Sequence, residues 1–93
     1  MTSKVECRTP TPGKKPTAID TAKFDAFRKA ILKVVPKRAP GVEFSDLPEL
    51  VAPHLPEGVG SLPWYTTTVK LELEVRGEIV RIPKSSPQRL IRK

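Results

Sequence analysis

One cysteine and one histidine stand in a chain of 93 residues, and each scarcity removes a class of function. Cys7 alone can form neither an internal disulfide nor a thiolate metal cluster. His54 lacks the companion ligands that a metal site needs at defined spacing, and beside Pro53 it reads as a solvated residue at a helix end. A nucleophile–base pair of Cys7 and His54 would require Cys7 to be held rigidly, yet its neighbours are those of a loose terminus. No Gly-rich phosphate loop occurs, and the carboxylates are scattered. These absences predict that the chain is not an enzyme and carries no cofactor. No run approaches the roughly 20 apolar residues of a membrane span, and the N-terminus lacks the apolar stretch of a secretory signal. The expectation is a cytoplasmic protein with no membrane partner.

Proline and positive charge are abundant instead. Eleven prolines interrupt the chain, and 17 basic residues face 10 acidic ones, a formal net of +7. The distribution of charge matters more than its total. Residues 1–19 hold four basic side chains and one acidic, residues 20–60 six of each, and residues 61–93 seven basic and three acidic. A neutral middle is thus flanked by two basic ends, a pattern that favours polyanions through counterion release. The length suits one domain with one modest core.

Residues 1–19, rich in Pro, Thr, Lys and Gly, show no apolar period and are expected to form a flexible basic arm, leaving residues 20–93 as the domain. Asp20 or Thr21 is placed to cap a helix. Phe24, Phe27, Ile31, Val34 and Val35 recur at helical spacing, and Pro36 stops the helix near Val35. Arg28, Lys29 and Lys33 fall off this stripe and read as a solvated face. A second, shorter helix is expected from Phe44-Ser45-Asp46 with Ser45 as cap, Pro48 in its first turn and Pro53 distorting its end.

The stretch after Ser61-Leu62-Pro63-Trp64 admits two readings. Val69, Leu71, Leu73 and Val75 alternate with Lys70, Glu72, Glu74 and Arg76, as in a strand. Tyr65, Val69 and Leu73 also recur every four residues, and Gly77 suits the position just past a helix C-terminus. Local pattern leaves the choice open. Ile79 to Ile82 and Gln88 to Arg92 then read as two strands joined by a turn at Pro83–Pro87.

The order of elements resembles the winged helix-turn-helix superfamily, carried by Val69, Leu73, Gly77, Ile79 and Arg81 within VKLELEVRGEIVR. The stretch LPWYTTTVKLELEVRGEIVRIPKSSPQRL is also similar to a short uncharacterised bacterial protein family. The resemblance covers about Thr17 to Lys93. It implies an α+β fold, three helices followed by a C-terminal β-hairpin wing. The implied core is Phe24, Phe27, Ile31, Phe44, Leu47, Leu50, Val51, Leu62, Tyr65, Val69, Leu73, Ile79 and Leu90, and Trp64 is expected to fill the core beside Tyr65.

In such proteins the third helix enters the major groove and the wing touches the backbone. The resemblance therefore implies binding to double-stranded DNA, with Thr66, Thr67 and Lys70 at base edges. Ser61, Lys84, Ser85, Ser86, Arg89 and Arg92 would meet phosphates. Glu72, Glu74 and Glu78 sit badly in a groove between phosphates, unless paired with Arg76 or Arg81. They support the alternative of a protein-interaction domain without DNA binding. With no added dimerisation helix, a monomer or weak homodimer is expected.

Overall fold

A computed structural model describes residues 3–9, 13, 15–38, 41–56, 58, 60–82 and 88–92. Among these, three α-helices and two small antiparallel sheets make an α+β architecture. Strands β1 (Lys4–Cys7) and β2 (Thr17–Asp20) pair with each other. Helix α1 (Thr21–Val34) follows, then the two-residue strand β3 (Val42–Glu43). Helix α2 (Leu47–Val51) and helix α3 (Leu62–Arg76) lead to strands β4 (Ile79–Arg81) and β5 (Arg89–Arg92). The second sheet has the order β3-β5-β4.

The first two strands correct the expectation of a flexible arm. Lys4 pairs with Asp20 and Cys7 with Thr17, and Cys7 and Ile19 both belong to the core. The strands also start α1. Thr21 donates its backbone N–H to the Ser3 carbonyl at 3.0 Å, and the Ser3 and Thr21 hydroxyls lie 2.7 Å apart. Asp20 occupies the cap position but makes no side-chain cap bond, so the neighbouring strand supplies what a capping side chain usually gives. Pairing and two buried side chains hold four-residue strands whose apolar content is too sparse to show a period.

The end of α1 follows from Pro36. Val35 is extended (φ −84°, ψ 119°), as the residue before proline prefers. Its N–H bonds to Ile31 at 3.0 Å, while its carbonyl accepts from Arg92 Nε at 3.1 Å. The Arg92 backbone N–H meets Pro36 at 2.8 Å, so β5 closes against the end of α1. Gly41 makes the return possible. At its φ of 72°, a Cβ would stand 2.3 Å from the Leu90 carbonyl oxygen, and only glycine accepts both the conformation and the approach.

The second helix is shorter than its apolar content suggests. A 3₁₀ turn at Phe44–Asp46 precedes it and another at Ala52–His54 follows. Pro48 sits in its first turn and Pro53 in the closing turn. Five residues bury only one face, Leu47 and Val51, and leave Leu50 39% exposed rather than in the core.

Residues 64–76 are helical, not extended. Phe24, Phe27 and Ile31 from α1, Leu47 and Val51 from α2, Val69 and Leu73 from α3, and Ile79 and Leu90 from the sheet form one core. Burying each such large apolar side chain contributes about 1.5–3 kcal/mol. Phe44, Leu62 and Tyr65 pack against this core half-buried. Gly77 ends α3 in the left-handed conformation (φ 77°). Its N–H bonds to Glu74 at 3.1 Å and the Glu78 N–H bonds to Leu73 at 2.9 Å, the paired bonds of a Schellman turn. Beyond it, β4 and β5 pair antiparallel in the register Ile79–Arg92, Val80–Ile91, Arg81–Leu90, but with β1, β2 and β3 also present the strands are not confined to a C-terminal wing as expected. β3 joins the free side of β5, and two residues are too few to leave a signature in sequence.

Candidate binding surface

Helix α3 runs through the middle of the molecule, and its sides differ sharply in chemistry. The inward side carries Thr66, Val69 and Leu73. Thr66 is fully buried and its hydroxyl oxygen has no partner among the described residues. It is not available to a base edge, which corrects its assignment as a DNA contact.

Lys70 is corrected in the same way. It is 2% exposed, and its ammonium group lies 3.1 Å from Glu74, donates to Gln88 at 2.9 Å and sits 4.3 Å from the Phe44 ring centroid. Arg81 reaches Glu74 from β4. Burial lowers the lysine's pKa, the largest influence, against the opposing pull of Glu74. Lys70 thus ties α3 to the strand hairpin instead of projecting from it.

On the other flank, Glu72 is 1% exposed. Arg8 donates to its two carboxylate oxygens from Nε (3.0 Å), from Nη2 (2.8 Å) and from the backbone N–H (2.8 Å), and Arg76 Nε donates at 2.8 Å. Burial is the largest single influence on this carboxyl and opposes ionisation. The Arg8 and Arg76 bonds and the Arg8 charge together outweigh it, holding the pKa down at about 2. The arginines themselves form the cover, since Arg8 remains 56% and Arg76 37% exposed. Arg76 also lies 4.7 Å from the Phe24 ring centroid. Burial and the neighbouring Glu72 push the Cys7 thiol up to about 11, which makes it a poor nucleophile.

The outward side of α3 presents Trp64, Thr68, Leu71 and Val75. Their spacing of four, three and four residues puts them on one stripe. Trp64 is 47% and Val75 36% exposed, with Thr68 and Leu71 half-buried between them. Trp64 therefore lies outside the core, against expectation, packed edge-on to Tyr65 at 4.9 Å. Tyr65 turns inward and stacks on Phe27 at 5.5 Å. A lone indole in a small chain usually fills its core, so composition alone points Trp64 inward.

The remaining expected contacts are scattered. Ser61 is exposed at the start of α3, without a side-chain cap bond, and Thr67 is half-buried. Arg89 pairs with Glu43 at 3.1 Å, which ties β5 to β3. Arg92 holds the Val35 carbonyl. Lys84, Ser85 and Ser86 lie outside the described residues. The three carboxylates judged awkward for a groove are all paired: Glu72 with Arg8 and Arg76, Glu74 with Lys70 and Arg81, and Glu78 with Arg28. The pairing with Arg76 and Arg81 follows from the sequence, whereas Arg8 and Arg28 were not foreseen.

Other exposed cations have no carboxylate partner among the described residues, Lys4 and Lys15 at the N-terminal strands and a further group at the end of α1 and after it. Among the described residues, Lys29, Lys33, Lys37 and Arg38 make no ion pair, and all four are exposed. They cluster on the last two turns of α1 and the segment after it. No helix among the described residues is long and apolar enough to cross a membrane. No curated protein and no solved structure matches the chain. A family model matches residues 4–90, beginning at β1 and ending inside β5. The two N-terminal strands are thus part of a domain shared across a family, and the chain belongs to that family of unknown function, DUF6958.

Proposed function

We propose that this chain is a winged-helix domain that acts in the cytoplasm as a monomer and binds a protein partner through the outward face of α3. The order of three helices followed by a hairpin supports the winged-helix reading. The observation that carries the function is the stripe Trp64, Thr68, Leu71 and Val75, a partly exposed and mainly apolar face with no charge in it. A helix that reads DNA presents donors and cations on this face, whereas an aromatic residue within an apolar stripe suits a protein interface.

The rim indicates the partner's chemistry. Arg8 and Arg76 line one flank and Arg81 the other, each at least 37% exposed, while their partners Glu72 and Glu74 are sealed beneath them. An apolar stripe with a cationic rim fits an apolar ridge flanked by carboxylates. The same rim and the net charge of +7 oppose pairing with a second copy.

Three amphipathic helical peptides that share one apolar face and carry acidic, neutral or basic flanks provide the test, with Trp64 fluorescence as the readout. The acidic peptide should bind tightest and shift the Trp64 emission to the blue. A Leu71→Lys variant, with Trp64 intact, should lose that binding. Equal response to all three peptides, or none, would overturn the proposal.

The second reading, double-stranded DNA, is favoured by the unpaired cations Lys29, Lys33, Lys37 and Arg38. It places the contact on α1 rather than α3. A mobility shift on mixed duplex DNA, abolished by Lys33→Gln with Lys37→Gln and unaffected by Leu71→Lys, would favour it over the protein partner.

A further inference from the structure

A cavity of about 290 Å³ opens where the end of α1, the turn after α3 and the end of β5 meet. Its described lining is Leu32, Lys37, Gly77, Glu78 and Arg92. The volume is at the lower end of the range for small-molecule sites, roughly 300–1,000 Å³. It lies apart from the outward stripe of α3, and of its described lining Lys37 alone is also used by the duplex-DNA reading.

The charges around this cavity do not cancel. Glu78 is its one described carboxylate, and Arg28 engages it from α1, with Nε at 3.3 Å and a second, closer contact from Nη2. Lys37 and Arg92 have no carboxylate partner among the described residues. Two helix C-termini converge here, and their partial negative charge would ordinarily offset cations. Part of that charge is already engaged. The carbonyls of α3 accept from Gly77 and Glu78, and Val35 and Pro36 accept from Arg92. Those two bonds spend the Nε and the backbone N–H of Arg92. They fix the guanidinium at the wall, with its terminal nitrogens unbonded to any described residue.

The walls complete the site. Leu32 is half-buried and supplies an apolar surface. Gly77 adds no side chain, and no atom lies within 4 Å of where its Cβ would stand. A preset guanidinium, an exposed lysine and a neutralised carboxylate line a pocket with net positive charge and one greasy wall.

We infer that this cavity binds a small organic oxyanion, a phosphate or carboxylate whose charged group sits between Lys37 and Arg92 and whose carbon skeleton lies on Leu32. Guanidinium and ammonium donors to an oxyanion form charge-assisted bonds, and a guanidinium already held in place loses little entropy in making them. The cavity's size admits a single small molecule and not a duplex.

The test is an amide-shift titration of the full chain with inorganic phosphate, and separately with acetate, at constant ionic strength. Saturable shifts should appear at the amides of Lys37, Gly77, Glu78 and Arg92. Lys37→Gln should weaken phosphate binding about tenfold, the loss expected for one charge-assisted bond. Lys29→Gln, an exposed lysine outside the cavity lining, should leave it unchanged. Response to phosphate alone identifies a phosphate ligand, and response to acetate as well identifies the wider oxyanion class. Shifts that never saturate, that spread evenly over Lys4, Lys29 and Lys33, or that survive Lys37→Gln would overturn the inference. Lys37 is exposed and makes no internal bond, so its replacement leaves the fold intact. Because neither substitution touches the α3 stripe, failure here leaves the peptide test of that face unaffected.

Discussion

The two buried charges of α3, Lys70 and Glu72, stand two residues apart and so face opposite flanks of the helix. Glu72 accepts four hydrogen bonds, three from Arg8 and one from Arg76, and its ionised form is strongly favoured. Lys70 has one carboxylate, one amide oxygen and one ring, and burial still tips it toward the neutral form. The same helix therefore carries a well-compensated anion under β1 and a less compensated cation beside the β4–β5 hairpin. Removing the first should be costly and removing the second cheap, because an uncompensated remainder, more than the lost pair itself, sets the cost of breaking a buried ion pair.

The largest effect is expected from Glu72→Gln. It leaves two arginines without their carboxylate and should lower stability to urea by about 2 kcal/mol, below the usual cost for a buried pair because both arginines are partly exposed. Cys7, packed next to this cluster, should then react faster with a thiol reagent under native conditions. The acid response should change as well. In the folded chain the Glu72 pKa is about 2, against an ordinary value of 4.5, so the folded state binds fewer protons between those limits. Its stabilisation is complete above pH 4.5 and fades as pH falls toward 2, and that part of the acid slope should be missing from Glu72→Gln. Equal stability and equal acid slopes in the two proteins would show that the cluster locks nothing.

Lys70→Met sharpens the comparison. It keeps the buried volume, removes the disfavoured charge and leaves Glu74 with Arg81, so the urea midpoint should move by less than about 1 kcal/mol in either direction. A loss as large as that of Glu72→Gln would make the two flanks equivalent and break the comparison. The smallest effect belongs to Thr66→Val, between the flanks on the buried side. The hydroxyl oxygen has no partner among the described residues, and a near-isosteric methyl should raise stability by about 0.5–1 kcal/mol. A loss of stability instead would reveal a hydrogen bond for this hydroxyl.

These charges also explain why α3 was ambiguous in sequence. Lys70 and Glu72 follow an alternation that puts Val69, Leu71, Leu73 and Val75 on one face of a strand. In the fold the buried set is Thr66, Val69, Lys70, Glu72 and Leu73, a helical side that includes two charges. Polar residues are read as exposed unless their partners are known, and beside the local partners Arg76 and Glu74 on α3 itself, Glu72 and Lys70 are met by Arg8 and Gln88 from distant parts of the chain. The apolar periods of α1 and the Gly77 stop needed no such distant information and were legible. β1 and β3 were not, since pairing across the chain holds them rather than their own composition. The binding residues suffered most. Thr66 and Lys70 have the chemical type of base contacts, but exposure decides contact, and the exposed stripe begins at a tryptophan that composition alone assigns to the interior.

The Arg8–Glu72 link spans 64 positions of the chain. During synthesis β1 leaves the ribosome early, yet the carboxylate that fastens it arrives only with the middle of α3. At the usual pace of translation that delay is on the order of several seconds, during which β1 and β2 must manage Cys7 and Ile19 without their lock. The N-terminal strands are therefore made well before they are secured, and this domain completes its fold only after the middle of α3 has followed them.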